Sequence, residues 1–224
     1  MALERELKLT GPLPSLSAVL EIAGFALTYS RTERQTNTYF DTSSASLRSV
    51  GISLRLRQIA DSAGVYTYKG QSSVAGGWHQ KTELEQHAGD ATGLEALSDT
   101  EIVQRISSVA ELTRLEPAFT FKTTRQVYDL EGIGELALDE VTILNTSGEP
   151  IETFTELELE IKYSVLDADL EHIEAELRKY PNLEPSSVPK SARAIAALDR
   201  IRTSSLDRIR TSSLQRVRTS SLQR

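Results

Sequence analysis

LERELKL, residues 3–9, sets Glu4, Glu6 and Lys8 at every second position, with Leu3, Leu7 and Leu9 between them. In a strand, successive side chains point to opposite faces. The three charged groups then share one face and the leucines the other, with Arg5 the exception. Taken alone, such a strand is an exposed charged face over a leucine core, because charged residues are seldom buried unless paired. The alternative is that the two carboxylates hold a metal and the lysine meets an anion. Which holds depends on whether other strands repeat the habit.

Six more stretches carry charge at this spacing or fit beside it. ISLRLRQ (52–58) places Arg55 and Arg57 on one face and Leu54 and Leu56 on the other, and GVYTYKGQ (64–71) carries Lys69. GWHQKTELEQ (77–86) puts Lys81, Glu83 and Glu85 together. FKTTRQVY (121–128) carries Lys122 and Arg125, whose opposite parity turns Lys122 outward. In GELALDEV (134–141) Glu135 and Asp139 share a face, and FTELELEIK (154–162) aligns Glu156, Glu158 and Glu160 against Leu157, Leu159 and Ile161. An ordinary one-sided sheet also alternates apolar and polar, but mixes its polar residues freely. Here the signs are segregated by strand. Closing such a sheet into a barrel gathers these faces inside, where unpaired charge is costly. A divalent cation satisfies carboxylates and bridges to phosphates, and phosphate oxygens satisfy the arginine forks. The charge layout alone therefore suggests a metal–polyphosphate site inside a barrel.

Composition narrows the alternatives. The chain has 224 residues and is 39% hydrophobic, ample for a core. No run of 18 apolar residues occurs, so no membrane span is expected. There is no cysteine, hence no disulfide framework and no thiolate metal site, and a cytoplasmic location is expected. His79, His87 and His172 lack metal-ligand spacing. The Gly-rich loops of common nucleotide-binding proteins and hydrolases are missing. A formal net charge of −7 argues against nucleic acid as a specific partner. That value hides an asymmetry, since residues 199–224 repeat an octad (DRIRTSSL, DRIRTSSL, QRVRTSSL, QR) with seven arginines against two aspartates. We expect one domain over 1–198 and a disordered basic tail over 199–224.

Strands are expected at 3–9, 26–41, 52–60, 64–71, 77–86, 117–129, 134–145 and 151–162, with helices over Leu13–Ala23, Asp99–Leu112 and Leu166–Lys179, a short turn over Ser43–Ser49 and a last helix after Pro189. Many antiparallel strands with helices at the joints indicate an α+β fold or a barrel, not a doubly wound fold.

The same residues resemble a known family. Glu4-x-Glu6-x-Lys8 is similar to the ExExK signature of the CYTH domain, or triphosphate tunnel metalloenzymes. TNTYFDT (36–42), LRLR, YTYKG, KTELE, TTRQVY, LALDEV, FTELELE and VPKSARAI follow in the family's order, over residues 3 to about 197. The resemblance implies a closed eight-stranded antiparallel β-barrel with peripheral helices, whose tunnel binds triphosphate with Mg²⁺ or Mn²⁺. It implies Glu4, Glu6, Glu156 and Glu158, with Glu160 assisting, as metal ligands. Lys8, Arg55, Arg57, Lys69, Arg125 and Lys190 would grip phosphates, helped by Lys81 and Arg193. Glu83, Glu85 and Asp139 would orient the basic residues or hold a second metal and a water. Lys8, Glu85 and Asp139 are thus the expected catalytic groups. The expected activity is metal-dependent hydrolysis of a small triphosphate or polyphosphate, with inorganic tripolyphosphate leading, because the motifs look most like the CYTH domains that precede a CHAD domain in bacterial proteins. Thiamine triphosphatase, adenylate cyclase of the same family and a non-catalytic polyphosphate-binding module are the alternatives. Tyr39, Tyr66, Tyr68 and Trp78 are the aromatics available to stack a base.

Overall fold

A computed structural model describes residues 3–203 apart from 61, 76 and 77, and excludes the side chains of residues 3, 4, 71–75 and 78–81. The alternating stretches form long antiparallel strands: β1 (Leu3–Thr10), β3 (Phe25–Asp41), β4 (Ser53–Ile59), β5 (Gly64–Ala75), β6 (Trp78–Gly89), β7 (Glu116–Leu130), β8 (Gly134–Leu144) and β9 (Pro150–Ile161). Two-residue strands β2 (Glu21–Ile22) and β10 (Glu184–Pro185) complete the set. The order is β10-β1-β6-β5-β4-β3-β7-β8-β9, with β2 attached to β3 and β1 also pairing with β9.

The expected closed eight-stranded barrel is thus corrected to a ten-stranded sheet. β6 covers one edge of β1 only as far as Leu7, opposite Trp78, and the edge groups at Leu9 and Thr10 pair instead with Pro185 and Glu184 of β10. Strand backbone left open in this way needs partners. β2 replaces the helix expected over Leu13–Ala23. Ile22 pairs with Phe25 across Ala23 and Gly24, both at positive φ (54° and 84°). Such a two-residue turn matches the right-handed twist of a hairpin.

The helices are α1 (Ser46–Ser49), α2 (Thr100–Ser107) and α3 (Asp167–Leu177). Asp99 caps α2 by accepting the Ile102 N–H at 2.9 Å. The helix expected to reach Leu112 stops at Ser107, and a 3-10 turn follows over Leu112–Arg114.

The apolar faces of the strands look outward, toward these helices. Leu7, Leu9, Leu136, Leu138, Leu157 and Leu159 pack with Leu170, Ile173 and Leu177 of α3. Phe40, Leu54, Leu56, Tyr66 and Tyr68 pack with Leu47 of α1 and with Ile102 and Ile106 of α2. Each such leucine contributes about 1.5–3 kcal/mol by burial. That anchoring fixes strand register, because a one-residue slip would exchange the faces, and it commits the charged residues to the opposite face.

The chain divides into Met1–Ser187 and Val188–Arg224. The second unit begins with a helix, α4, over residues 190–203, where the Arg193 N–H donates to the Pro189 carbonyl at 3.1 Å. The helix runs into the first octad. The remaining octads, expected to be disordered, lie outside the described residues. Among the described residues no helix is long and apolar enough to cross a membrane.

Candidate functional site

The inward faces of β1, β9, β8 and β7 form an acidic wall with two cations set into it. Register brings Lys8 opposite Glu158, Glu6 opposite Glu160 and Thr10 opposite Glu156. It also places Glu156 beside Asp139 and Asp139 beside Arg125. The Lys8 ammonium lies 2.9 Å from Glu158, 3.3 Å from Glu6 and 3.9 Å from Glu156. All four residues are buried, Glu156 completely. Burial disfavours the ammonium, but Glu158, Glu6 and Glu156 outweigh it and hold the Lys8 pKa well above the ordinary lysine value.

Arg125 is gripped similarly. Its Nε and Nη2 donate to the two carboxylate oxygens of Asp139 at 2.8 and 2.6 Å, and Nη2 also donates to Glu158 at 2.5 Å. Despite the burial penalty, Asp139 and then Glu158 push its pKa well up. Asp139 is fully buried and faces this guanidinium, a position suited to orienting the arginine. Four carboxylates (Glu6, Asp139, Glu156, Glu158) therefore converge around the Lys8 ammonium and the Arg125 guanidinium.

The opposing faces of β4 and β5 are basic. Arg55 Nη2 donates to the Thr67 hydroxyl at 3.1 Å, and that hydroxyl is 3.2 Å from Glu85. Lys69 pairs with Glu83 at 2.8 Å. Glu85 itself is exposed, so it sits at the rim and reaches the arginine through Thr67. The Nε atoms of Arg55 and Arg57 are buried without a hydrogen-bond partner. Burial, then Arg55 and Arg125, push the Arg57 pKa down to about 10. A guanidinium crowded by two others, with no ion pair among the described residues, is a strong receptor for an added anion.

Of the other expected site residues, Glu160 is half-buried between Glu6 and Glu135 in register. The side chains of Glu4 and Lys81 lie outside the described residues. Lys190 and Arg193 stand three apart on α4, in the second unit. Lys122 is exposed, as its parity implies. Tyr66 and Tyr68 belong to the outer cluster under α2 and do not face the charged side. Trp78 also has its side chain outside the described set. Tyr39 stacks on Phe119, ring centroids 4.6 Å apart, and leans on Phe121 at 5.6 Å.

The sequence reading missed the inward face of β3. Glu33 accepts from Gln35 at 2.6 Å and from Arg31 at 2.6 Å, and it lies opposite Arg125. Burial would raise the Glu33 pKa, but hydrogen bonds from Gln35 and Arg31 hold it below the usual value. Asn37 follows at the same parity, opposite Arg57. The signal was present as the period-two run Glu33, Gln35, Asn37, Tyr39.

The donor set fits a hard divalent cation in chemistry, being all carboxylate oxygen. Among the described residues no three acidic or histidine side chains converge as a ready cage, because the Lys8 ammonium stands among the carboxylates.

The family model described as the CYTH domain matches residues 2–195. No match is found among curated proteins. Among solved structures, a Hippeastrum protein named as an adenylyl cyclase and said to have a dominant triphosphatase activity is 25% identical, with a TM-score of 0.66 over 86% of this chain and 95% of that one. A Bacillus halodurans protein named as an adenylate cyclase is 18% identical, with a TM-score of 0.53 over 77% and 97%. One from Vibrio parahaemolyticus, named likewise, is 15% identical, with a TM-score of 0.51 over 86% and 98%. These last two share the fold alone.

Proposed function

The chain belongs to the CYTH domain family, and from that premise we propose that it is a divalent-metal-dependent triphosphatase with inorganic tripolyphosphate as its leading substrate. The observation that carries this reading is the pairing of two walls of opposite character. One gathers buried carboxylates around Lys8 and Arg125, and the other has buried arginine Nε atoms without a hydrogen-bond partner. A metal-bound polyanion suits both at once, the metal meeting carboxylate oxygen and the phosphates meeting the guanidiniums. The pairing of β9 with β1 supports a tunnel around it, and the activity named for the Hippeastrum protein supports the chemistry.

In this reading Glu4, Glu6, Glu156, Glu158 and Glu160 hold Mg²⁺ or Mn²⁺. When bound, the metal supplies Lewis-acid neutralisation of phosphate oxygens. Arg55, Arg57, Lys69, Lys81 and Arg125 bind the phosphate chain and neutralise charge that develops on the leaving group. Asp139 holds the Arg125 fork in one orientation. Lys8 keeps the carboxylates together and faces a phosphate oxygen once they are otherwise engaged. Water attacks the terminal phosphorus in line, its oxygen forms the new bond, and the bridging P–O bond breaks with its electrons on the departing diphosphate. Glu85, exposed at the rim, takes the proton.

The stack of Tyr39 on Phe119 favours one second reading, an organic triphosphate such as thiamine triphosphate or ATP, whose ring would meet these aromatics. The deciding experiment measures phosphate release by the full chain from tripolyphosphate, thiamine triphosphate, ATP and pyrophosphate, with and without Mg²⁺ or Mn²⁺. Metal-dependent release from tripolyphosphate, lost on the order of 10³-fold in the Glu156→Gln/Glu158→Gln double variant, is expected. Release confined to an organic substrate supports the second reading. Binding without release from any of them points to a non-catalytic polyphosphate module.

A further inference from the structure

Asn37 is 1% exposed, and neither its amide nitrogen nor its carbonyl oxygen has a hydrogen-bond partner. A buried carboxamide with both ends unsatisfied is costly and uncommon in folded proteins. Its place makes the orphaning informative. On β3, Phe40 packs in the outer cluster under α2, so Asn37 and Tyr39 at the other parity face the charged side. Asn37 sits directly across from Arg57 on β4, and Tyr39 sits across from Arg55. On its other flank it faces Phe121 of β7, which offers no polar atom on its side chain. The unpartnered donors of Arg55, Arg57 and Asn37 therefore come from neighbouring positions on two paired strands. Directly opposed side chains on such strands have Cβ atoms about 5 Å apart.

From this arrangement we propose that Asn37 contacts the substrate: its amide N–H group donates to a phosphoryl oxygen of the triphosphate held by Arg55 and Arg57, and its carbonyl oxygen accepts from a water of the substrate's hydration shell. The assignment rests on the triphosphatase reading and adds to it a neutral residue outside the charged set. A carboxamide suits the position for a definite reason. Arg57 is already crowded by Arg55 and Arg125, so a further cation here would add repulsion in the free protein, and a carboxylate would neutralise Arg57 and repel the phosphate. An amide adds a donor for an anion and an acceptor for water with no change in charge.

Asn37→Leu, close in shape, separates this role from a structural one. We expect it to melt at or above the wild-type temperature without ligand, since it removes an unsatisfied buried group. We also expect it to lose most of the upward melting shift that tripolyphosphate gives the wild type in EDTA. Its metal-dependent phosphate release should fall by about 10- to 100-fold, the size expected for losing a hydrogen bond to a charged group. Asn37→Asp is the second variant. It keeps the shape, gains a pair with Arg57, and should stay folded while binding tripolyphosphate more weakly still. A wild-type ligand shift and rate in folded Asn37→Leu, or unchanged tripolyphosphate binding in Asn37→Asp, would overturn the assignment while leaving the triphosphatase reading intact. A wild type that neither binds nor cleaves tripolyphosphate overturns both.

Discussion

Replacing Lys8 by methionine removes one positive charge from among three buried carboxylates and changes little else in volume. The ammonium stands 2.9 Å from Glu158, 3.3 Å from Glu6 and 3.9 Å from Glu156. At an effective dielectric constant near 20, the closest pair alone is worth about 6 kcal/mol of Coulomb attraction, much of it offset by the cost of burying the ions. Breaking a buried pair by removing one partner destabilises by about 3–5 kcal/mol. At about 2–4 °C per kcal/mol for a domain of this size, the melting temperature of Lys8→Met should fall by about 6–20 °C in EDTA. Because the Lys8 pKa is raised in the folded state, its contribution is fully present below the unfolded lysine value of about 10.4 and is lost only as pH climbs through the folded value. The deficit should therefore be constant across pH 7–9. Mg²⁺ should restore part of it, since the variant takes the ammonium away from Glu6, Glu156 and Glu158, and the metal-induced shift should exceed that of the wild type. Thermal unfolding of the full chain, with EDTA and with a Mg²⁺ series, measures both quantities. A variant that melts within about 2 °C of the wild type and responds no more to Mg²⁺ would refute the account of Lys8 as the cation that keeps this wall assembled.

Three further outcomes are expected. Gly11→Ala should lower stability by about 2–4 kcal/mol, because Gly11 has φ +140° and an added Cβ would lie 1.9 Å from the Asn182 carbonyl oxygen. Gly148→Ala, also at positive φ (84°) but with open space around it, should lose only about 1 kcal/mol, so paired melting curves separate contact from backbone strain. Arg125→Lys keeps the charge but not the fork that meets Asp139 at 2.8 and 2.6 Å. A loss of about 1.5–3 kcal/mol in urea unfolding and at least about tenfold in phosphate release is expected, whereas equal activity would show the fork to be dispensable. Finally, a cation with a lowered pKa must take up a proton to bind an anion once the pH exceeds that value. Metal-free affinity for tripolyphosphate should thus weaken as pH rises through about 10, the Arg57 value, by at most about tenfold per pH unit. Calorimetric titration of Arg57→Gln should lack that step.

The parity of charged residues was readable because leucines marked the other face. Leu157 and Leu159 point to α3, so Glu156 and Glu158 must point away, and the opposition of Lys122 and Arg125 followed from the same count. β3 gave no such mark. Thr32, Thr36 and Thr38 occupy the face opposite Glu33, Gln35 and Asn37, so both faces looked polar and the inward residues stayed hidden. The partners of Lys8 were also invisible. Its spacing suggested an anionic ligand and placed Glu6 on the same face, but only the register of β1 against β9 brings Glu156 and Glu158 within reach as well. β2 and β10 escaped because two residues carry no periodicity, and they exist to pair edges that other strands leave open. The helix expected before Gly24 yielded to a hairpin turn, where Ala23 and Gly24 at positive φ outweigh the apolar spacing upstream.

The place of β1 has a consequence for how the chain acquires its shape. β1 is made before both strands that flank it, β6 and β9, and its Leu7 lies opposite Leu159. At a synthesis rate of about 5–20 residues per second, β1 leaves the ribosome on the order of ten seconds before its second neighbour. During that interval Leu7 and Leu9 have no α3 to cover them, and Glu6 and Lys8 remain in water. Pairings between such distant segments form late, because closing so long a loop is entropically costly. Seating of β1 between its neighbours is therefore the expected slow event. The charged cluster is assembled in that same event, so a newborn chain gains its candidate site and its last core contacts together.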